Sequence, residues 1–287
     1  MKALFLHNST SGKGISDKKL SYIKDELAKV YERLDFVIPA SAEEFISRCK
    51  DSCGNYDHLL ISGGDGSINM AVNTIAKEKK RPVLGFFPSG TCNDIAKNYG
   101  IDTKIKRCVR IIRENHVESF DILRYDQGYA VFAMALGGLS AIPYLTGKKE
   151  KRRFGALAYY VDGMKKMFSS SKVQGKAILE DGREIPFSLP FVVILNTSHI
   201  GGYNVNPHSD VQDGLFDVFL TKRKGQLSAL IQYVFHDKRI PRYQVRKIKI
   251  CTDCKENWDI DGERGPFGDM EITCIHEGIE VLCPEKR

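Results

Sequence analysis

The chain has 287 residues, of which 42% are hydrophobic, so it is long enough for two folded domains and too apolar to be disordered. Lys and Arg outnumber Asp and Glu by 43 to 36, a mild excess that suits anionic partners without selecting one. No apolar run reaches the roughly 18 residues of a membrane span, and the N-terminus lacks a signal peptide pattern. We therefore expect a cytoplasmic protein whose eight cysteines are reduced thiols.

Up to about residue 120, short apolar runs alternate with segments of helical periodicity, which predicts a parallel sheet wrapped by helices. A helix is predicted over Lys18–Leu34, and Ser41 opens a capping box for the next helix, so Ser41 has a structural explanation even if it also lies near a ligand. The predicted strands are Ala3–His7, Phe36–Pro39, His58–Ser62 and Val83–Pro88.

Three of these strands run directly into loops of small, hydrogen-bonding residues, at positions 8–14, 63–67 and 90–94. Glycines let a backbone approach a ligand closely, and amides at a helix start bind anionic oxygens. Because ligands of open α/β sheets bind at the carboxyl ends of the strands, we expect the three loops to form a phosphate site. The carboxylate of Asp65 within such a site favours nucleotide phosphate together with Mg²⁺.

After Asp121 the pattern changes to many short strand candidates separated by turns, which predicts a mostly antiparallel sandwich or barrel. The predicted domains are therefore an α/β domain of residues 1–123 and a β-rich domain of residues 124–287, with the site expected in the cleft between them. The strand candidates are Tyr129–Leu136, Lys176–Glu180, Phe191–Asn196, Leu215–Thr221, Arg246–Thr252, Glu271–His276 and Ile279–Cys283.

Two acidic segments of the second half are candidates for chemistry. Asp210–Asp217 has the oxygen ligands of a hard-cation site, although a solvated Asp-Gly turn is the favoured explanation of this segment taken alone. In Trp258–Glu263 an extended backbone would turn Asp259 and Asp261 to one side, and Gly262 would allow a ligand to approach. Each segment is weak evidence by itself.

Basic residues and aromatics alternate between Lys148 and Phe168. Such a segment can lie on an anionic membrane surface, and it can equally be a solvated helix with its aromatics turned inward. Both interpretations stay open.

Taken in order, the motifs resemble the diacylglycerol kinase catalytic family, which includes bacterial lipid kinases and sphingosine and ceramide kinases. The resemblance extends over nearly the whole chain and implies an N-terminal parallel-sheet nucleotide domain, similar to that of NAD kinases and phosphofructokinases, with a C-terminal antiparallel β-sandwich that takes a lipid. The matching segments are Asn8–Gly12, Gly63–Ser67 with Asn69, Pro88–Asp94 with Ala96, Asp121, Asn196, Gly201–Gly202, Pro207, Asp213–Gly214 with Asp217, and Asp261–Glu263.

The resemblance also implies roles for individual residues. The ATP contacts would come from Asn8, Ser9, Thr10, Ser11, Gly12, Ser41, Gly63, Gly64, Asp65, Gly66, Ser67, Asn69, Thr91 and Asn93. Asp65, Asp94 and Asp121 would surround a catalytic Mg²⁺, while Asp210, Asp213 and Leu215 would hold a structural one. Asp261 would be the base that faces the lipid hydroxyl and Glu263 its partner, an assignment that the sequence leaves open between the two.

The function implied is an ATP-dependent lipid kinase at the inner face of the membrane, with diacylglycerol as the first choice of substrate and no nucleic-acid partner. Met70 departs from the family pattern because it stands where the family has a glutamate. A kinase of a soluble substrate similar to NAD kinase, and a non-catalytic nucleotide- or lipid-binding protein, are the alternatives. The choice of lipid alcohol and the oligomeric state, including a homodimer, stay open.

Overall fold

The computed structural model describes residues 1–12, 14–137, 173–189, 191–200, 203–220 and 241–285. The basic segment between Lys148 and Phe168 lies outside these residues, as do Gly201 and Gly202. The chain divides into two compact units, unit 1 of residues 1–120 and 277–287, and unit 2 of residues 121–276.

Unit 1 is built on a parallel sheet with the strand order β2-β1-β3-β4. Its strands are β1 (Lys2–His7), β2 (Arg33–Val37), β3 (His58–Gly63) and β4 (Val83–Pro88). The middle strands are almost entirely buried, as expected when helices cover both faces of a parallel sheet.

Five helices belong to unit 1: α1 (Asp17–Leu27), α2 (Ala42–Ser52), α3 (Asp65–Ile75), α4 (Asp94–Asn98) and α5 (Ile105–Glu114). Helix α1 buries Leu20, Ile23 and Leu27 at the helical spacing that the sequence shows. Ser41 caps α2 by accepting a hydrogen bond from the Glu44 amide at 3.2 Å, and the Glu44 carboxylate accepts from the Ala40 amide. Among the described residues, no helix is both long and apolar enough to cross a membrane.

Besides a short two-stranded sheet of His199–Ile200 and Tyr203–Asn204, the described residues of unit 2 form two antiparallel sheets. One has the order β18-β15-β8-β9 and the other the order β14-β13-β10-β7-β16-β17. The strands after β4 are β5 (Val117–Tyr125), β6 (Gly128–Ala130), β7 (Ala133–Gly137), β8 (Val173–Leu179), β9 (Glu184–Leu189), β10 (Phe191–Leu195), β11 (His199–Ile200), β12 (Tyr203–Asn204), β13 (Phe216–Leu220), β14 (Arg242–Val245), β15 (Lys247–Thr252), β16 (Asn257–Ile260), β17 (Glu263–Phe267) and β18 (Met270–Leu282).

One hydrophobic core joins the two sheets of unit 2. Trp258 lies in this core with no exposed surface, and its indole N–H donates to the Gly268 carbonyl at 3.0 Å. Ile248 and Ile250 of β15 enter the core from one sheet, and Phe216 and Val218 of β13 enter it from the other. Two sheets that share one core form a sandwich, so the predicted fold class, α/β followed by an antiparallel β-sandwich, is confirmed.

The end of the chain differs from the predicted division, because residues 277–287 belong to unit 1. Strand β18 pairs in parallel with β4 through Val281 and Leu84, and the Cys283 amide donates to the His116 carbonyl at 3.1 Å. Arg81 also donates to the Gly278 carbonyl at 2.5 Å. The assignment of all residues after 123 to the second domain therefore has to be changed for this segment.

Candidate active site

Three loops of unit 1 leave the carboxyl ends of adjacent parallel strands. The loop after β1 contains Asn8, the loop after β3 leads into α3, and the loop after β4 leads into α4. Since β1, β3 and β4 are neighbours in the sheet, the three loops lie side by side. Two of them end at helix N-termini, where the first backbone amides have no acceptor within the helix and favour anionic oxygens.

Asn8 connects the first loop to the second. Its backbone amide donates to the Ser62 carbonyl at 2.8 Å, and its side-chain amide donates to the Ser67 hydroxyl at 2.9 Å. Its side-chain oxygen accepts from the amide and the hydroxyl of Thr10. Ser67 is buried in these contacts, so Asn8 and Ser67 set the positions of the two loops.

The second and third loops touch through backbone atoms of Gly64 and Gly90. A Cβ added to Gly90 would lie 2.6 Å from the Gly64 Cα and 2.9 Å from the side-chain oxygen of Asn93. Gly12 has a φ of 54°, and a Cβ there would collide with the Ser89 carbonyl oxygen. The loops are in contact because glycine leaves room for it, which explains why the sequence has glycine at these positions.

Asn93 and Asp65 hold the third loop. Asn93 has a left-handed backbone with a φ of 55°, its side chain accepts from the Gly90 amide at 2.8 Å, and it donates to the Gly90 carbonyl at 3.0 Å. The Asp65 carboxylate accepts from the Ile95 amide at 3.0 Å, at the start of α4. Asp65 therefore connects the second loop to the third.

Burial raises the pKa of Asp65, and the nearby charge of Asp94 raises it further, while amides at the start of α4 act in the opposite direction. Asp94 is 4% exposed and has Lys97 at 3.7 Å. Two carboxylates that repel each other in a partly buried place form a donor set that a hard cation would stabilise.

The other predicted nucleotide contacts of unit 1 have two kinds of surroundings. Ser9, Thr10, Gly12, Gly66 and Thr91 are exposed on the loops, where a ligand can reach them. Ser41 is a helix cap at the start of α2. The sequence did not single out Ser89, whose amide donates to the Gly63 carbonyl at 2.8 Å and whose buried hydroxyl has no hydrogen-bond partner among the described residues. The signal that could have identified Ser89 is its position between the end of β4 and Gly90.

In unit 2, Asp121 is fully buried and accepts hydrogen bonds with both carboxylate oxygens. One oxygen accepts from the Gly214 amide at 2.6 Å, and the other lies 2.9 Å from Nδ1 of His276. Asn196 donates to the Asp121 carbonyl at 2.8 Å, and its own side-chain oxygen is buried with no partner in the part of the chain that the structure describes. Asp121 thus ties the Gly214 turn to β18, a contact that sequence reasoning missed because His276 is remote in the chain.

The carboxylates of the acidic turn at Asp210–Asp217 differ in their exposure and in their hydrogen-bond partners. The Asp210 and Asp213 side chains are exposed and accept from the amides of Gln212 and Leu215 at 3.0 and 2.9 Å. Burial and the charges of Asp210, Asp121 and Asp217 raise the pKa of Asp213, although the Leu215 amide lowers it. A cation bound at this turn would relieve that repulsion.

Asp217 of the same turn is already paired within the protein. Arg242 donates to it at 2.6 and 3.0 Å, and Asn206 donates to it at 2.5 Å. Because its charge is neutralised, Asp217 is less suited to hold a cation than Asp210 and Asp213 are. No local sequence pattern identifies Arg242 as the partner of Asp217.

Asp261 is buried and bound by backbone amides. Its oxygens accept from the amides of Val131 at 2.6 Å and of Phe132 and Ala133 at 2.9 Å each. Its backbone has a φ of 54°, which is uncommon outside glycine. Burial raises the pKa of Tyr125, and the Asp261 charge adds to this effect. Asp261 therefore fixes the segment that connects β6 and β7.

Glu263 differs from Asp261 because its side chain is exposed at the start of β17. Asp259 is buried and accepts from the Gly262 amide at 3.0 Å, which closes the tight turn between β16 and β17. The turn thus presents one exposed carboxylate and keeps two buried ones.

The chain is similar to proteins of known family and known structure. The family model for the diacylglycerol kinase catalytic domain matches residues 2–125. A diacylglycerol kinase of Bacillus subtilis is 26% identical over 100% of this chain and 97% of its own, and one of Staphylococcus saprophyticus is 28% identical over 99% and 95%. A crystal structure of a diacylglycerol kinase from Bacillus anthracis has a TM-score of 0.84 at 22% identity, covering 99% of this chain and 97% of that one.

The crystal structure supports the fold, and the family match with the two relatives supports the activity class. The resemblance seen in the sequence motifs is confirmed. A kinase of this kind uses ATP as its phosphoryl donor. Residues 2–125 match the diacylglycerol kinase catalytic domain, and the chain is a kinase.

Proposed function

We propose that this kinase transfers the γ-phosphoryl group of ATP to the hydroxyl of a membrane lipid alcohol, with diacylglycerol as the preferred substrate and phosphatidate as the product. The relatives from Bacillus subtilis and Staphylococcus saprophyticus are named diacylglycerol kinases and align over nearly the whole chain. The similarity extends through unit 2, so it is not limited to the nucleotide loops.

The observation that carries the nucleotide part is the contact between the Gly64 and Gly90 backbones at the ends of two parallel strands. It places two helix starts side by side, which suits the phosphates of a nucleotide. Phosphoryl transfer requires positioning and charge neutralisation more than covalent chemistry from the protein. In this proposal the exposed side chains of Thr10 and Thr91, the partly buried Ser11 and the loop amides contact the phosphates.

Two places in the protein suit Mg²⁺ by their donor chemistry. Asp65 with Asp94 in unit 1, and Asp210 with Asp213 in unit 2, offer carboxylates, and mutual repulsion helps to raise the pKa of Asp65 and of Asp213. We assign the ion at the first pair to the nucleotide phosphates, where it supplies positive charge. The Asp213 turn is assigned a structural ion, with the Leu215 carbonyl as a further ligand. Asp121 supports that turn through the Gly214 amide.

The role proposed for Asp261 is to orient the lipid hydroxyl and accept its proton late in the reaction, with Glu263 as its partner. Three amides hold the Asp261 carboxylate in one orientation. A carboxylate held in one orientation can position the lipid hydroxyl, and this reaction class requires positioning more than covalent chemistry from the protein. Replacing Glu263 by Gln removes an exposed charge, so its effect on turnover measures the contribution of the partner alone.

The proposal is tested with radiolabelled ATP and Mg²⁺ against diacylglycerol, monoacylglycerol, a sphingoid base and ceramide in mixed micelles, and against NAD and fructose 6-phosphate in solution. We expect labelled phosphatidate as the main product. Asp65→Asn should lose turnover, whereas Asp51→Asn, an exposed acid of α2, should keep it. Label on NAD or the sugar alone would favour a soluble-substrate kinase. ATP binding without any labelled product would favour a non-catalytic protein. It would then point to Met70, which stands where the family has a glutamate, as a cause of the lost activity.

The lipid substrate also implies that the protein works at a membrane surface. We propose peripheral attachment, because no described helix could span a bilayer. Flotation with vesicles that contain diacylglycerol and an anionic phospholipid should carry the protein upwards at low salt. Failure to float at any salt concentration would contradict this assignment while leaving the micelle assay intact.

A further inference from the structure

A third group of candidate metal-binding side chains includes none of the residues assigned to phosphoryl transfer. It consists of His116, Glu118 and Cys283, whose ligand atoms all lie within 4.8 Å of one another. Among the described residues, no other set of three His, Cys, Asp or Glu side chains has this spacing. We propose that these three side chains form a binding site for a thiolate-preferring divalent ion, best represented by Zn²⁺.

The local backbone explains why the three side chains meet. Glu118 lies in β5, and His116 precedes that strand by one residue, so the two side chains point to the same side of an extended segment. The Cys283 amide donates to the His116 carbonyl at 3.1 Å, which brings the end of the chain beside β5. All three residues belong to unit 1.

The spacing is close to that of a tetrahedral zinc site. Nε2 of His116 lies 3.3 Å from the nearer Glu118 oxygen. Zinc bonds of about 2.0 to 2.3 Å in tetrahedral geometry put neighbouring ligand atoms roughly 3.3 to 3.6 Å apart. Since all the ligand atoms lie within 4.8 Å of one another, the set needs a contraction of at most about 1 Å, which a side-chain rotation can supply.

The donor types select the metal. Thiolate with imidazole favours Zn²⁺ and its neighbours in the transition series, whereas Mg²⁺ prefers oxygen ligands. Cys283 is 2% exposed, while the His116 side chain is 37% exposed, so the set is open to solvent on the histidine side. Three protein ligands leave the fourth position to water. The bound ion would fasten the C-terminal segment of unit 1 to β5, a structural role separate from phosphoryl transfer.

The test uses the full-length protein, purified without metal and titrated with Co²⁺ and then Zn²⁺. We expect one equivalent of Co²⁺ to give a thiolate-to-cobalt absorption band that Zn²⁺ abolishes and a large excess of Mg²⁺ does not. Zn²⁺ should also raise the melting temperature. Because metal binding requires the deprotonated thiol, the affinity should rise with pH.

Cys283→Ser should abolish the cobalt band and weaken zinc binding by at least about 100-fold, since it removes a ligand directly. Cys108→Ser is the matched control, because Cys108 is also a buried cysteine of unit 1 and its thiol already contacts the Asp102 carbonyl. If Cys283→Ser fails to fold, His116→Gln, at a partly exposed position, tests the same site. A thiolate band that survives in both variants, or the lack of any such band in the unmodified protein, would overturn the proposal.

Discussion

The site residues of unit 1 are held by close contact between backbones, whereas those of unit 2 are held by buried carboxylates that bind amides. Gly64 and Gly90 meet without side chains between them. Asp121 and Asp261 instead accept amides from distant parts of the chain. The site residues of unit 1 therefore depend on the absence of side-chain atoms and those of unit 2 on the placement of charge, so the two groups should respond to different substitutions.

The largest effect is expected from Gly90→Ala. The added Cβ would lie 2.6 Å from the Gly64 Cα, and since this contact is with backbone, the loops must separate. A displacement of about 1 Å at a reacting group costs on the order of 100-fold in rate. ATP-dependent turnover and the melting temperature would be measured together.

The control for this variant is Gly182→Ala in the turn between β8 and β9. Gly182 differs from Gly90 in having a positive φ, of 80°, and an added Cβ would meet no atom of the described residues within 4 Å. This variant should lose some stability from backbone strain and keep its turnover. Equal turnover losses in the two variants would show that close approach of the loops is not the cause.

Asp261→Asn and Asp65→Asn should both lower turnover by at least about 100-fold, as expected for groups that orient or stabilise the reacting centre. Their stabilities should differ. An Asn at 261 points a donor at an amide, and a buried unsatisfied N–H costs about 1 to 3 kcal/mol. An Asn at 65 can still accept from the Ile95 amide and no longer repels Asp94.

Chemical denaturation with the turnover assay would separate these cases. If Asp65→Asn proved the less stable of the two variants, the difference drawn between the two units would be contradicted. Near-normal turnover in either one would remove that residue from the catalytic assignment.

A smaller effect is expected from Asp213→Asn on the response to Mg²⁺. The unmodified protein should melt at a higher temperature in millimolar Mg²⁺, because an ion that binds only the folded state stabilises it by about 2.7 kcal/mol at 100 times its dissociation constant. Asp213→Asn should lose most of this rise. Asp181→Asn, an exposed acid of the β8–β9 turn, should keep it. An unchanged Mg²⁺ response in Asp213→Asn would place the ion elsewhere.

The smallest effect concerns pH. The pKa of Asp65 is raised on folding, so between its unfolded and folded values the folded state binds more protons than the unfolded one. The contribution of Asp65 to the unfolding free energy therefore increases as pH falls through the folded pKa, by at most about 1.4 kcal/mol per pH unit. The difference in unfolding free energy between the unmodified protein and Asp65→Asn, measured from pH 7 to pH 4 without Mg²⁺, should show this trend. The opposite slope would mean that amide bonds outweigh burial at Asp65.

Local patterns predicted unit 1 well. The apolar runs of β1, β3 and β4 gave the strands to within one residue, because buried parallel strands are continuous stretches of apolar side chains. The predicted helix Lys18–Leu34 was too long. Leu34 fits the helical stripe, but it belongs to β2, where it pairs with Ala3. Tertiary pairing with β1 outweighs the helical periodicity at that point.

Unit 2 was harder to predict because its important contacts join residues remote in sequence. Glu271–His276 and Ile279–Cys283 were predicted as two strands, whereas β18 continues through Glu277, which takes a φ of 52°. The acidic motifs identified Asp121 and Asp213, yet not His276 or Arg242. A lone histidine or arginine in a strand carries no local mark of the carboxylate that it will meet.

Strand β18 has a consequence for how the protein is made. The residues that pair with β4 in unit 1 follow the whole of unit 2 in the chain, so they are translated after it. Until unit 2 has been synthesised, the edge of the nascent sheet at β4 lacks this partner, although N-terminal segments usually fold first during synthesis. A premature stop codon within unit 2 would therefore also remove a strand from the earliest-made part of the protein.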